Sequence, residues 1–258
     1  MTRLKQSHEL MRRVREMVLG HHEGEVIETT PIDAHVLILY SRVRSLLEGA
    51  CVLLDARLPE EAVILGREMF TDSLHLMEIA TQAPDRAPLV LGLVSKSLTE
   101  MQNLQREAAS LGVSNKRDVD AVLGVLAERR KEIDAYRRRH GIGNMKSFRH
   151  EKQLASDHGR LDGYLDFAFV HRMVHRADMA QAGRTVRTDE VVRVCLRNPD
   201  DDFLVAASAF VMTSALHAHK AVAPIFAWTE TEPEEIDRLL AESDRLFSAE
   251  LHSPGGNP

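Results

Sequence analysis

Cysteine is almost missing from this sequence. Cys51 and Cys195 stand alone, with no Cys-x-x-Cys spacing and no secretory context. That excludes a disulfide framework and predicts a reducing, cytoplasmic setting. Aromatic residues are 5% of the chain, and only Tyr136 and Phe148 lie near its basic run, too few for a base-stacking platform. A long apolar run free of charge is also lacking. The nearest approach, FLVAASAFVMTSALHAHKAVAPIFAW from Phe203 to Trp228, has the length to span a bilayer but carries His217, His219, Lys220 and Pro224. It predicts a buried central helix and no membrane span. The N-terminal MTRLKQSHELMRRVREMV is charged throughout and has no apolar signal core. Net positive charge is absent too: 33 Lys and Arg stand against 39 Asp and Glu, for a formal −6, which gives no chain-wide reason to expect nucleic acid. No internal repeat or low-complexity linker divides the chain.

Helix formers dominate what is present: Ala, Leu, Glu and Arg recur with apolar residues spaced by three and four. A helix over 4–19 ends near Gly20, and HHEGEVIETTP is a polar connector. Pro31 and Asp33 open a long, largely buried helix, and Pro59 opens the next, which stops at Pro84-Asp85. Helices at 88–111 and 117–140 flank Gly112-Val113-Ser114-Asn115, and short connections of this kind favour antiparallel neighbours. After Gly141-Ile142-Gly143-Asn144 come a short helix near 147–157 and a histidine-bearing helix near 160–180. The β-branched alternation of VVRVCL makes 184–198 the one short irregular or β-like excursion. Asn198-Pro199-Asp200 opens the apolar helix at 201–222, and Thr231-Glu232-Pro233-Glu234 opens a last helix reaching about residue 250. The pattern predicts an all-α fold: one compact domain of about eight or nine helices over 1–258, with the 160–180 and 201–222 helices central. An N-terminal helix and connector (1–30), a bundle core (31–228) and a C-terminal helix and tail (229–258) make it up.

The stretch FVHRMVHRADMA carries the first candidate site. His171 and His175 are one helical turn apart, and with Tyr164 and Ala168 they form one stripe. Three chemistries fit. Buried imidazoles need hydrogen-bond partners, which alone produces a polar cluster. A His-x-x-x-His pair can also hold a divalent metal, with Asp72 and His75 from a carboxylate-x-x-His step, or His217 and His219, as further ligands. Against a metal, paired Glu-x-x-His steps are absent and no Glu lies between His171 and His175. No cofactor is therefore expected. Third, the imidazoles can act as an acid/base pair.

Arg67 interrupts the apolar stripe Val63, Phe70 and Leu74. It predicts either an ion pair with Glu48, Glu68 or Asp72, or a phosphate fork. Arg129, Arg130, Lys131, Arg137, Arg138, Arg139, Lys146 and Arg149 face only Glu132 and Asp134 between 129 and 150. The five arginines of 129–139 are candidate phosphate or RNA contacts, although cations are favoured at a helix end in any case. On the apolar helix, Ala207, Ser214, Ala218 and Ala221 form a small-residue stripe suited to close helix packing, with His217 beside it.

AVILGREMFTD followed by MKSFRHEKQLASDHGRLDGYLDFAFVHRMVHRADMA resembles a mostly prokaryotic, all-helical family of domains of unknown function, over roughly residues 30–225. The resemblance implies an all-helical fold in which Arg67, Tyr164 and His175 hold the family's arginine, tyrosine and histidine positions. Thr71 stands where the family has an acid, with Asp72 beside it, and Arg172 stands where it has serine. A looser likeness is to the HEPN superfamily, helical domains often found as toxin or defence ribonucleases, whose signature is an arginine and a histidine separated by four to six residues. About four such spacings are expected by chance from 26 Arg and 13 His, and four are present, all near the chain ends.

The function expected is that of a helical interaction or assembly protein in which Arg67, Tyr164 and His175 form a buried polar cluster. The alternatives are a metal-independent ribonuclease using Arg67, Tyr164, His171 and His175, and a metal-binding bundle enzyme. A protein partner and RNA are the candidate partners, and the charge-alternating C-terminal helix leaves room for a homodimer.

Overall fold

The computed structural model describes residues 2–20, 29–113, 115–165, 185–187, 192–194, 201–228 and 233–251. Its helices are α1 (Arg3–Gly20), α2 (Pro31–Asp55), α3 (Pro59–Thr81), α4 (Ala87–Ser110), α5 (Lys116–Arg139), α6 (Glu151–Asp157), α7 (Asp201–Val222) and α8 (Pro233–Leu251). Residues 161–165 are helical as well. The expected β-like excursion contains two three-residue strands, β1 (Thr185–Arg187) and β2 (Val192–Val194). They pair antiparallel with Thr185 opposite Val194. Arg172, His171, His175 and Cys195 lie outside the described residues.

Local chemistry sets the helix ends. Thr30 Oγ1 accepts from the Asp33 N–H at 3.1 Å ahead of Pro31, so an N-cap and a proline that has no N–H to satisfy start α2 together. Asn115 Oδ1 caps α5 through the Arg117 N–H at 2.9 Å. Arg137, Arg138 and Arg139 occupy its last turn, where the helix dipole favours cations. The short helix before Tyr164 begins only at Glu151. The preceding residues lie along α4, where the Lys146 N–H donates to Pro88 O at 3.0 Å.

α7 is the centre of the bundle, flanked by α1, α2, α3 and α8. The small-residue stripe packs as expected: Ala207, Ser214, Ala218 and Ala221 are all buried. Gly66 of α3 lets the helices approach, since a Cβ there would meet Phe210 at 3.0 Å. Phe70 and Phe210 close the contact with ring centroids 5.9 Å apart. α1 buries Leu10, Met11, Val14 and Val18, one helical stripe. α8 buries Ile236, Leu239 and Leu240, with Ser243 hydrogen-bonded to Thr213 at 2.8 Å. The apolar side of the C-terminal helix is thus already occupied. No helix among the described residues is long and apolar enough to cross a membrane.

Candidate functional site

α3 brings two of the sequence-predicted residues to one place. Asp72 and His75, one turn apart, line a groove of about 460 Å³ between α2, α3 and α4. Arg67 and Tyr164 are partly buried on α3 and on the turn at 161–165, and Tyr164 packs against the core. Their expected companions His171 and His175 fall outside the described residues. Arg42 of α2 engages two acids of α3: its guanidinium donates to Asp72 Oδ1 at 3.0 Å and to Glu68 Oε2 at 2.8 Å.

Burial dominates the electrostatics of the groove. The Asp72 side chain is 4% exposed, and desolvation pushes its carboxyl up to about 7 despite the Arg42 contact. Arg42 acts weakly because it is half exposed and shared with Glu68, whose charge also raises Asp72. Burial, against the nearby Glu151, pulls His75 down to about 4. The ring is neutral near pH 7 and lies against Phe148, with centroids 4.1 Å apart. Asp72 Oδ2 is buried without a hydrogen-bond partner. Among the described residues, no group of three His, Cys, Asp or Glu side chains could hold a metal ion.

Two further polar clusters had no local sequence signal. Fully buried His219 shares a hydrogen bond with the Tyr40 hydroxyl, and Trp228 lies 5.5 Å from Tyr40 and 5.9 Å from His219. Glu78 Oε2 accepts from Arg149 at 2.9 Å and pairs with His158 Nε2 at 3.0 Å, tying α6 to α3. Partly buried His217 is pulled down to about 3, first by desolvation and then by the positive charge of Arg160.

The basic run is largely engaged. Arg129 pairs with Glu132 at 2.8 Å, Arg130 reaches across to Thr99 Oγ1 at 2.6 Å, and Arg137 donates to Gly143 O at 2.6 Å. Arg138 and Arg139 are exposed in the last turn of α5.

α4 and α5 form an arm that meets the bundle chiefly at its root, through α2. Leu98, Val119 and Leu126 are buried there but belong to no part of the main core. Each helix carries a second, heptad-spaced seam: Val94, Ser97, Met101, Leu104, Ala108 and Leu111 on α4, then Val122, Val125, Arg129, Glu132 and Tyr136 on α5. In both helices the buried contact follows the seam by one residue, Leu98 after Ser97 and Leu126 after Val125. Because the helices are antiparallel, that equal rotation places both seams on one face. The root confirms it: Val94, Arg129, Glu132 and Tyr136 wall a single cavity of about 500 Å³ against Ile32, His35 and Ile38 of α2. Beyond α2, Met101, Leu104, Val122 and Val125 of this face are exposed.

No family model, curated protein or solved structure matches this chain. The functional reading therefore rests on its geometry.

Proposed function

We propose that this chain is a helical assembly protein whose α4–α5 arm pairs face to face with the arm of a second copy. One observation carries the reading. Of the eleven described large apolar side chains left exposed, six lie on the arm and its turn: Met101, Leu104, Leu111, Val113, Val122 and Val125, at 36–76% exposure. Together they present on the order of 500 Å² of apolar surface, as much as the largest patch on a typical monomer, which is often a functional one. With the stems of the flanking charged residues, a two-helix face of this length covers on the order of 800 Å² per partner, what a standard stable interface needs.

Two helices from each copy complete a four-helix bundle related by a twofold axis. Charge does not oppose the pairing, because Arg106, Arg117 and Arg129 alternate with Glu107, Asp118 and Glu128 around the seams. In this reading Arg67, Tyr164 and His175 are architectural polar residues.

Sedimentation velocity across a concentration series tests it. The wild type is expected to be a dimer, and Leu104→Glu/Val125→Glu a monomer with the same helical content and a cooperative unfolding transition that no longer depends on concentration. A wild type that stays monomeric throughout, or a double variant that stays dimeric, overturns the proposal.

A further inference from the structure

We propose that the groove between α2, α3 and α4 binds a small organic ammonium ion, an alkyl or aralkyl amine whose apolar body fills the groove and whose N–H is received by Asp72. The inference does not depend on the pairing of the arm with a second copy. Val36, Leu39, Ile79, Val90 and Leu93 supply apolar wall around a volume of about 460 Å³, a size suited to a small ligand. The wall carries one acceptor that the fold leaves unsatisfied. Asp72 is 96% buried at its side chain, Arg42 takes Oδ1, and Oδ2 accepts nothing.

A buried carboxylate oxygen without a donor costs free energy that native structures seldom leave uncompensated. Asp72 lines the groove and the terminal torsion of aspartate is soft, so the proposed ligand requires that torsion to turn Oδ2 toward the groove. Charge selects the ligand. Arg42 and Lys96 face Glu68, Asp72 and Glu100 around the groove, two cations against three carboxylates. His35 and His75, the remaining titratable residues lining it, have their protonation disfavoured by burial. One monocation balances the set. An anion would meet Glu68 and Asp72 with Arg42 already shared between them, and an uncharged apolar molecule would leave Oδ2 as it is.

The test is titration calorimetry on the full chain at alkaline pH with hexylammonium, hexanol and hexanoate, three ligands of one length and three charges. Hexylammonium is expected to bind saturably at one site, hexanol at least about tenfold more weakly for want of a charge-assisted hydrogen bond, and hexanoate not at all. Asp72→Asn should weaken hexylammonium by at least about tenfold. Leu93→Trp, which fills the groove without touching the charges, should abolish binding. The proposal is overturned if hexylammonium does not bind, if hexanol binds as well, or if either variant binds like the wild type. The ligand series in the wild type decides the matter without any substitution.

Discussion

Replacing Asp72 by asparagine should make the protein more stable at alkaline pH relative to the wild type, and the difference should fade as the pH falls. The cause is the carboxyl's rise from its ordinary 3.8 to about 7 in the folded state. Folding then favours the protonated acid. The stability it contributes is fully present below about pH 4 and is lost as the pH rises through about 7.

At about 1.4 kcal/mol for each tenfold change in the ionisation constant, the full loss is on the order of 4 kcal/mol, of which roughly 3 falls between about pH 5 and about pH 9. Arg42 does not cancel it, since that guanidinium is half exposed and shared with Glu68. His75 and His217 act in the opposite sense. Their folded values near 4 and 3 make them lose stability as the pH falls below about 6.5. They are common to both proteins and drop out of the difference. Urea unfolding of the two proteins across this range measures the quantity directly. Asparagine also buries an amide with its own polar mismatch, but that offset does not depend on pH. A difference that stays flat from pH 5 to pH 9 would refute the reasoning, because Asp72 would then ionise as an exposed acid does.

Three other substitutions probe the remaining clusters. Tyr40→Phe removes the hydroxyl partner of buried His219 and is expected to lower the unfolding free energy by about 1–2 kcal/mol with an unchanged urea slope; equal stability would mean the bond contributes nothing. Gly92→Ala would place a Cβ 1.8 Å from Lys146 O. It should therefore destabilise by about 1–3 kcal/mol, although alanine is the better helix former by about 1 kcal/mol; a gain in stability would rule out that close approach. Glu78→Gln weakens the acceptor shared by Arg149 and His158, so amide exchange in residues 151–157 should accelerate well before exchange in α7, and uniform acceleration would contradict a local staple.

The helices were legible because their ends are written locally. Thr30, Pro31 and Asp33 make a start signal within four residues, and Gly112 and Asn115 punctuate the turn between α4 and α5. The central position of α7 followed from an apolar stripe that leaves hardly any polar face. The groove was half legible. Asp72 and His75 share a helical face by spacing alone, whereas Arg42 lies thirty residues earlier, and nothing local distinguishes it from Arg44, the other arginine of α2. The Tyr40–His219 contact bridges 179 residues and depends on how α2 and α7 pack. The arm's seams are present as spacings in the sequence, yet spacing cannot tell a seam that the bundle covers from one it leaves open. The sequence offered Glu48, Glu68 and Asp72 as acids near Arg67, and no spacing showed that Arg42 of α2 also reaches Glu68 and Asp72.

An arm that meets the bundle chiefly at its root works as a spacer whose outer length is independent of the core. Seven residues inserted into each of α4 and α5 would move the tip outward by about 10.5 Å at 1.5 Å per residue. They would return both seams nearly to phase, with a drift of about 20° for each heptad. No side chain of α3 or α7 would notice the change. In a pair of such molecules the distance between the two cores is then counted in whole heptads, so chain length along this one hairpin fixes how far apart the cores are held.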